Sequence, residues 1–204
     1  MTTIGIVVFD DAEELDFVGP WEVFCSAGMM IERGEAPGAQ PLKAVLIAEK
    51  TGAVRCAKGM RVLPDATFAD APPLDLVLVP GGMGTRREAN NQGMLAWLRE
   101  IAPRCRFVTS VCTGALLLHE AGISRGRRVA THFNFVEQLR ARGANVLTNV
   151  RFVEDGNLIS AAGVSAGIDM SLWLVGQLVD PKFARKVQRW IEYDPKPPYA
   201  DVQI

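Results

Sequence analysis

The sequence predicts an α/β domain built on a mostly parallel sheet with helices on both faces. Strand-like runs rich in β-branched and aliphatic residues recur along the chain, and helical patterns lie between most of them. With 204 residues, 49% of them hydrophobic, the chain is long enough for one well-buried α/β domain and short for two. Residues 1–204 are therefore read as a single domain.

The first strand is predicted at Ile4 to Phe9; its flanks lack the basic stretch of a signal peptide. A helix is expected to begin near Gly19-Pro20, where proline in a first turn loses nothing by its missing N–H, and to carry Trp21, Val23, Phe24 and Met29. Strands follow at Leu42 to Ala48 and Leu74 to Pro80, then a helix over Asn91 to Ala102. Phe107 to Val111 reads as a buried strand and Thr113 to Glu120 as the helix after it. Arg128 to Thr131 is a further strand, and the next helix, near Asn134 to Arg142, is ended by Arg142-Gly143. Val150 to Val153 and Leu158 to Ala161, joined by Glu-Asp-Gly-Asn, form a hairpin. Helices over Ala166 to Leu178 and Lys182 to Glu192 precede a proline-rich tail that cannot be regular structure.

Composition narrows the function. A formal charge of -1, two histidines and no basic cluster longer than Arg125 to Arg128 leave no field to hold a phosphate backbone, so nucleic acid is not an expected partner. No apolar run approaches the roughly 18 residues needed to span a bilayer, so no membrane role is expected. The four cysteines, at 25, 56, 105 and 112, make no C-x-x-C pair and fit reduced thiols in a cytoplasm. The two histidines and the cysteine spacing offer no zinc site. No metal or organic cofactor is expected.

In an open parallel sheet, ligands bind outside the carboxyl ends of the strands. Three such ends carry candidate groups. The first is the acidic turn Asp10 to Asp16; the second is Gly81-Gly-Met-Gly84, either a plain turn or an anion-binding nest. The third is Cys112, on the turn from strand to helix, where a side chain is held over the sheet edge and free helix N–H groups can stabilise a thiolate. A cysteine so placed is expected to ionise near neutral pH. Cys25, Cys56 and Cys105 are explained by packing, and His119 by structure.

The ordered segments "LDFVGPWEV", "VPGGMG", "TSVCTGALLL", "GRRVATHF" and "GVSAGIDMSLWL" resemble the ThiJ/PfpI superfamily over nearly the whole chain, with the best match to its isocyanide (isonitrile) hydratase branch. The resemblance implies a flavodoxin-like three-layer sandwich, usually homodimeric, with a nucleophilic cysteine on a strained elbow. It makes Cys112 the nucleophile, Asp16 the neighbouring acid from the first strand-helix loop, and Thr113 the threonine that follows the cysteine in the hydratases. Gly81 and Gly82 would supply N–H groups facing an oxyanion or the substrate nitrogen, with the Thr113 N–H opposite. His132 is a candidate to approach from another strand end, or a histidine bonded to backbone. Thr113 stands where peptidases and many glyoxalases of the superfamily have histidine, and Phe133 where hydratases commonly have tryptophan. The implied reaction is hydration of an isocyanide, a small-molecule substrate, to an N-substituted formamide; redox sensing or carbonyl detoxification by the same cysteine, or ligand binding without turnover, are the alternatives. Trp173, Leu174 and the hairpin around Asp155-Gly156 are expected to leave surface for a two-fold partner.

Overall fold

A computed structural model of the chain describes residues 1–197 and 200. The chain opens with β1 (Thr2–Val7), α1 (Glu14–Glu32) and β2 (Leu42–Ala48). A small antiparallel hairpin, β3 (Val54–Arg55) and β4 (Arg61–Val62), leads to the short β5 (Ala66–Thr67). Next come β6 (Leu76–Val79), α2 (Thr85–Glu88), α3 (Gln92–Ile101), β7 (Phe107–Val111) and α4 (Gly114–Glu120). The remainder holds β8 (Arg128–Val129), α5 (Val136–Arg140), β9 (Asn145–Val146), β10 (Phe152–Asp155), β11 (Leu158–Ala161), α6 (Ala166–Leu178) and α7 (Pro181–Trp190).

Seven strands form the main sheet in the order β10-β11-β7-β6-β1-β2-β5, parallel throughout except for the β10–β11 hairpin. Its central strands are buried on both sides. Leu76–Val79 and Leu158–Ala161 are buried at every position, as strands with helices above and below must be. Helices α1, α6 and α7 pack on one another, while α4 packs with α2 and α3, so the sheet is flanked by helices as expected of a flavodoxin-like sandwich. The register aligns Ile6 with Leu78, Val79 with Ser110, and Val111 with Ala161. That alignment brings the loops after β1, β6, β7 and β11 to one edge. No helix among the described residues is long and apolar enough to cross a membrane.

Four expectations need correction. Helix α1 starts at Glu14, not at Gly19-Pro20, so Asp16 lies in a first helical turn rather than in a loop. Gly19 and Pro20 mark a close helix crossing instead: a Cβ on Gly19 would sit 2.9 Å from Ile168, and one on Gly167 would sit 3.2 Å from Pro20. Arg128 to Thr131 does not join the main sheet; only Arg128–Val129 is strand, paired in parallel with β9. Arg128 and Asn157 hold that segment near the hairpin turn through Asp155 and Arg127. Leu174 is fully buried and supplies no surface, whereas Trp173 is half-buried and packs edge-on against Phe107 with ring centroids 6.2 Å apart. Residues 193–197 of the proline-rich tail have no regular structure, and 198–199 and 201–204 lie outside the described residues.

Leu78 is fully buried on β6, in the middle of the sheet. Leu78→Ala should lower the unfolding free energy by about 2–5 kcal/mol in a urea titration. A change below about 1 kcal/mol would mean that this strand is not the centre of the core.

Candidate active site

Cys112 follows β7 directly and has φ 58, a conformation that a non-glycine residue holds only when its surroundings over-determine it. Both flanks are pinned. The Cys112 N–H donates to the Ala161 carbonyl at 3.2 Å, and the Thr131 hydroxyl donates to the Cys112 carbonyl at 2.9 Å. Gly114 lets the helix start press against β6, because a Cβ there would lie 2.1 Å from the Val79 carbonyl oxygen. The strained elbow is therefore present, with its sulfur turned inward: Cys112 is 6% exposed.

Asp16 is fully buried beside it. Its Oδ2 accepts the Gly81 N–H at 2.7 Å, and its Oδ1 has no well-formed hydrogen bond. Gly81 is where the loops meet: a Cβ there would be 2.5 Å from the Thr113 nitrogen and 2.8 Å from both Asp16 Oδ2 and the Cys112 Cβ. The next N–H, that of Gly82, donates to Thr113 Oγ1 at 3.1 Å, and Gly82 holds φ 115 where a Cβ would strike the Asp11 carbonyl. Both glycine N–H groups are thus committed to protein side chains. The expectation that they face an oxyanion is corrected accordingly.

The donors that do face the sulfur are the N–H groups of Thr113 and Val164, while the Thr113 hydroxyl donates to the Gly82 carbonyl at 3.1 Å. Val164 was not among the expected site residues. It begins the turn after β11 with φ 33, and a β-branched residue forced to positive φ leaves no local mark in a sequence. Thr85 and Arg86 were also missed: the Thr85 hydroxyl lies 3.1 Å from Thr113 Oγ1, and Arg86 Nη1 donates to the Gly82 carbonyl at 3.0 Å while its guanidinium stacks over Phe135. His132 sits against the turn after β11, where a Cβ on Gly163 would lie 2.9 Å from its ring. Its Nδ1 accepts the Asn134 N–H at 3.3 Å, and the ring lines a cleft of about 700 Å³ with Thr131, Phe133, Val136, Leu147 and Val164. His119 bonds the Arg142 carbonyl at 2.9 Å, a structural role as expected.

Burial pushes the Asp16 carboxyl up to about 7, with the charge of Glu13 adding to the rise and the Gly81 N–H, the Cys112 thiol and Lys58 opposing it. Burial, and next the Asp16 charge, push Cys112 up to about 12, against the pull of the Thr113 and Val164 N–H groups. Burial beside Asp16 thus works against the ionised thiol expected near neutral pH. Two titrating groups buried this close lose their protons as a coupled pair. Cys25, Cys56 and Cys105 are raised to about 11, each chiefly by burial.

Comparison with known proteins agrees with this architecture. A model of the DJ-1/PfpI family matches residues 2–177. The chain is 36% identical to the isonitrile hydratase of Pseudomonas putida, over 96% of this chain and 80% of that protein. It is 25% identical to a Parkinson disease protein 7 homolog of Danio rerio, over 90% of this chain and 93% of that one. A solved ThiJ/PfpI family protein from Pseudomonas syringae is 32% identical and superposes with a TM-score of 0.87, covering 99% of this chain and 79% of the other. The chain belongs to the DJ-1/PfpI family.

A carboxyl raised by burial binds its proton more tightly in the folded state than in the unfolded one. Its contribution to stability is full below the ordinary carboxylate range and is lost as pH rises toward about 7. Asp16→Asn should therefore raise the melting temperature relative to wild type at pH 8 and leave the two nearly equal at pH 4. An equal difference at both pH values would show that Asp16 does not hold its proton this tightly.

Proposed function

We propose that this protein hydrates an isocyanide to the corresponding N-substituted formamide, with Cys112 as nucleophile and Asp16 as proton carrier. The observation that carries this reading is the buried Cys112–Asp16 pair, in which a carboxyl held by one backbone N–H keeps its other oxygen unengaged beside the thiol. The 36% identity to an isonitrile hydratase over most of both chains supports the choice of substrate.

The steps balance without a cofactor. Asp16 takes the thiol proton, and the thiolate, steadied by the Thr113 and Val164 N–H groups, attacks the terminal isocyanide carbon to form a C–S bond. Asp16 returns the proton to that carbon, giving a thioimidate. Water adds to the thioimidate carbon, its proton passes to nitrogen, and the C–S bond breaks to release the formamide and regenerate the thiol. Thr113 acts through its N–H on the sulfur, while its hydroxyl ties the elbow to Gly82 and Thr85. Gly81 and Gly82 act by orienting Asp16 and Thr113. His132 and Phe133 are assigned to the substituent on nitrogen, in the cleft behind Val164.

Convergence of two N–H groups and a carboxyl on one sulfur also favours a second reading, oxidation of Cys112 or carbonyl detoxification by the same thiol. We also take residues 1–204 as one domain of the family, acting as a homodimer. Leu15, Met83 and Phe133 support the dimer, since they are exposed apolar side chains on the segments that carry the site. Light scattering should give about twice the chain mass, 22.2 kDa; a monomer would remove the dimer.

Asp16→Asn keeps shape and hydrogen bonding but cannot cycle a proton, so formamide formation from alkyl isocyanides should fall by roughly 10²-fold or more. Cys112→Ala should abolish it. If wild-type protein yields no formamide from several isocyanides yet oxidises readily at Cys112 with mild peroxide, the second reading replaces the first.

A further inference from the structure

The β3–β4 hairpin is laced onto the turn that feeds Asp16 into the site. The Asp11 N–H donates to the Arg55 carbonyl and the Arg55 N–H to Asp10 Oδ1, both at 2.8 Å. One step along, the Ala57 N–H donates to the Ala12 carbonyl at 2.9 Å and the Lys58 N–H to Glu14 Oε1 at 2.6 Å. At the hairpin tip the Lys58 ammonium binds the Glu13 carboxylate and lies 3.9 Å from Glu14 Oε2, an oxygen that is buried without a well-formed hydrogen bond. From Glu13 the path into the site is short. Its N–H donates to the Gly81 carbonyl at 2.9 Å, and Gly81 in turn donates to Asp16.

We propose that Lys58 and Glu13 are positioning residues that set how readily the Cys112–Asp16 pair gives up its first proton, so that the hairpin tunes the chemistry of a site it does not touch. The inference rests on the reading of Asp16 as proton carrier. The Glu13 charge opposes ionisation of Asp16 and the Lys58 charge favours it. The two charges lie in contact and act on Asp16 with opposite sign, so removal of either one exposes the other. Screening is incomplete because the Glu13 side chain is 19% exposed, although Lys58 is 67% exposed.

The remaining charged groups around Asp16 are occupied elsewhere. Glu14, on the same helix, accepts the Lys58 N–H and shares the Lys58 ammonium with Glu13. Arg86, on α2, is bound by the Gly82 carbonyl and Phe135; Arg87 pairs with Asp11 and Glu88. On α6, Asp169 is taken by Arg151. Cys112 is the other titrating member of the site.

The test compares Lys58→Met, Glu13→Gln, the double variant and Lys58→Arg. In each, the pH midpoint of iodoacetamide labelling at Cys112 is read by peptide mass spectrometry, beside the pH profile of formamide formation. Labelling and turnover both rise as the pair loses its first proton. Lys58→Met should move the midpoint to higher pH and Glu13→Gln to lower pH, each by roughly half a unit. The double variant and Lys58→Arg should stay near wild type, and both shifts should shrink in concentrated salt. A clamp that acted only mechanically would move both single variants the same way. That outcome, or unchanged labelling midpoints, overturns the proposal. Split midpoints in protein that makes no formamide would uphold the tuning and remove the hydratase reading alone.

Discussion

The site depends on one missing side chain. At Gly81 the loop after β6 passes so close to Asp16, Cys112 and Thr113 that a single Cβ would collide with all three. Only a residue without one lets the backbone N–H reach Asp16 Oδ2, and that bond is what makes a fully buried carboxyl tolerable there. The same approach sets the distance between the first turn of α1 and the elbow. Everything else in the site, from the inward turn of the sulfur to the bonds of Thr113, follows from how near those two segments stand.

Such an arrangement is costly to the fold. A carboxyl and a thiol are desolvated side by side, and Cys112 and Val164 both hold positive φ, a strain of about 1–3 kcal/mol each. A chain that spreads such costs needs a rigid frame, and the four buried central strands supply it. The frame is stiff where the site is strained. The Ala161 carbonyl and the Thr131 hydroxyl grip the elbow backbone from two sides, so strain at Cys112 cannot relax without moving β11 or the segment after β8.

The strands and the elbow were legible in the sequence because they obey local rules. Leu42–Ala48 and Phe107–Val111 fall where the apolar runs place them, and α6 spans Ala166–Leu178 as its pattern predicts. What misled was chemistry that depends on distant partners. Pro20 looks like a helix start, but α1 runs through it because Gly19 and Pro20 serve a crossing with α6. The glycine pair after β6 looks like an empty anion nest, yet its N–H groups meet side chains from two other segments of the chain. A strand-to-helix cysteine promises a thiolate, and burial next to Asp16 opposes that. The family segments pointed to Cys112, Asp16 and Thr113, whereas Val164 enters through a backbone angle that no residue type announces.

The place of β7 between β6 and β11 also governs when the site comes into being. One neighbour of β7 precedes it in the chain, but the other, β11, is made some fifty positions later, between Leu158 and Ala161. Parallel pairing of that kind closes late in folding, since its loop entropy must be overcome before the strand contacts form. On a ribosome, Cys112 therefore emerges well before the Ala161 carbonyl and the Val164 N–H that shape it. During that interval its sulfur is an ordinary cysteine of a nascent chain, and the special chemistry appears only when the last strand docks.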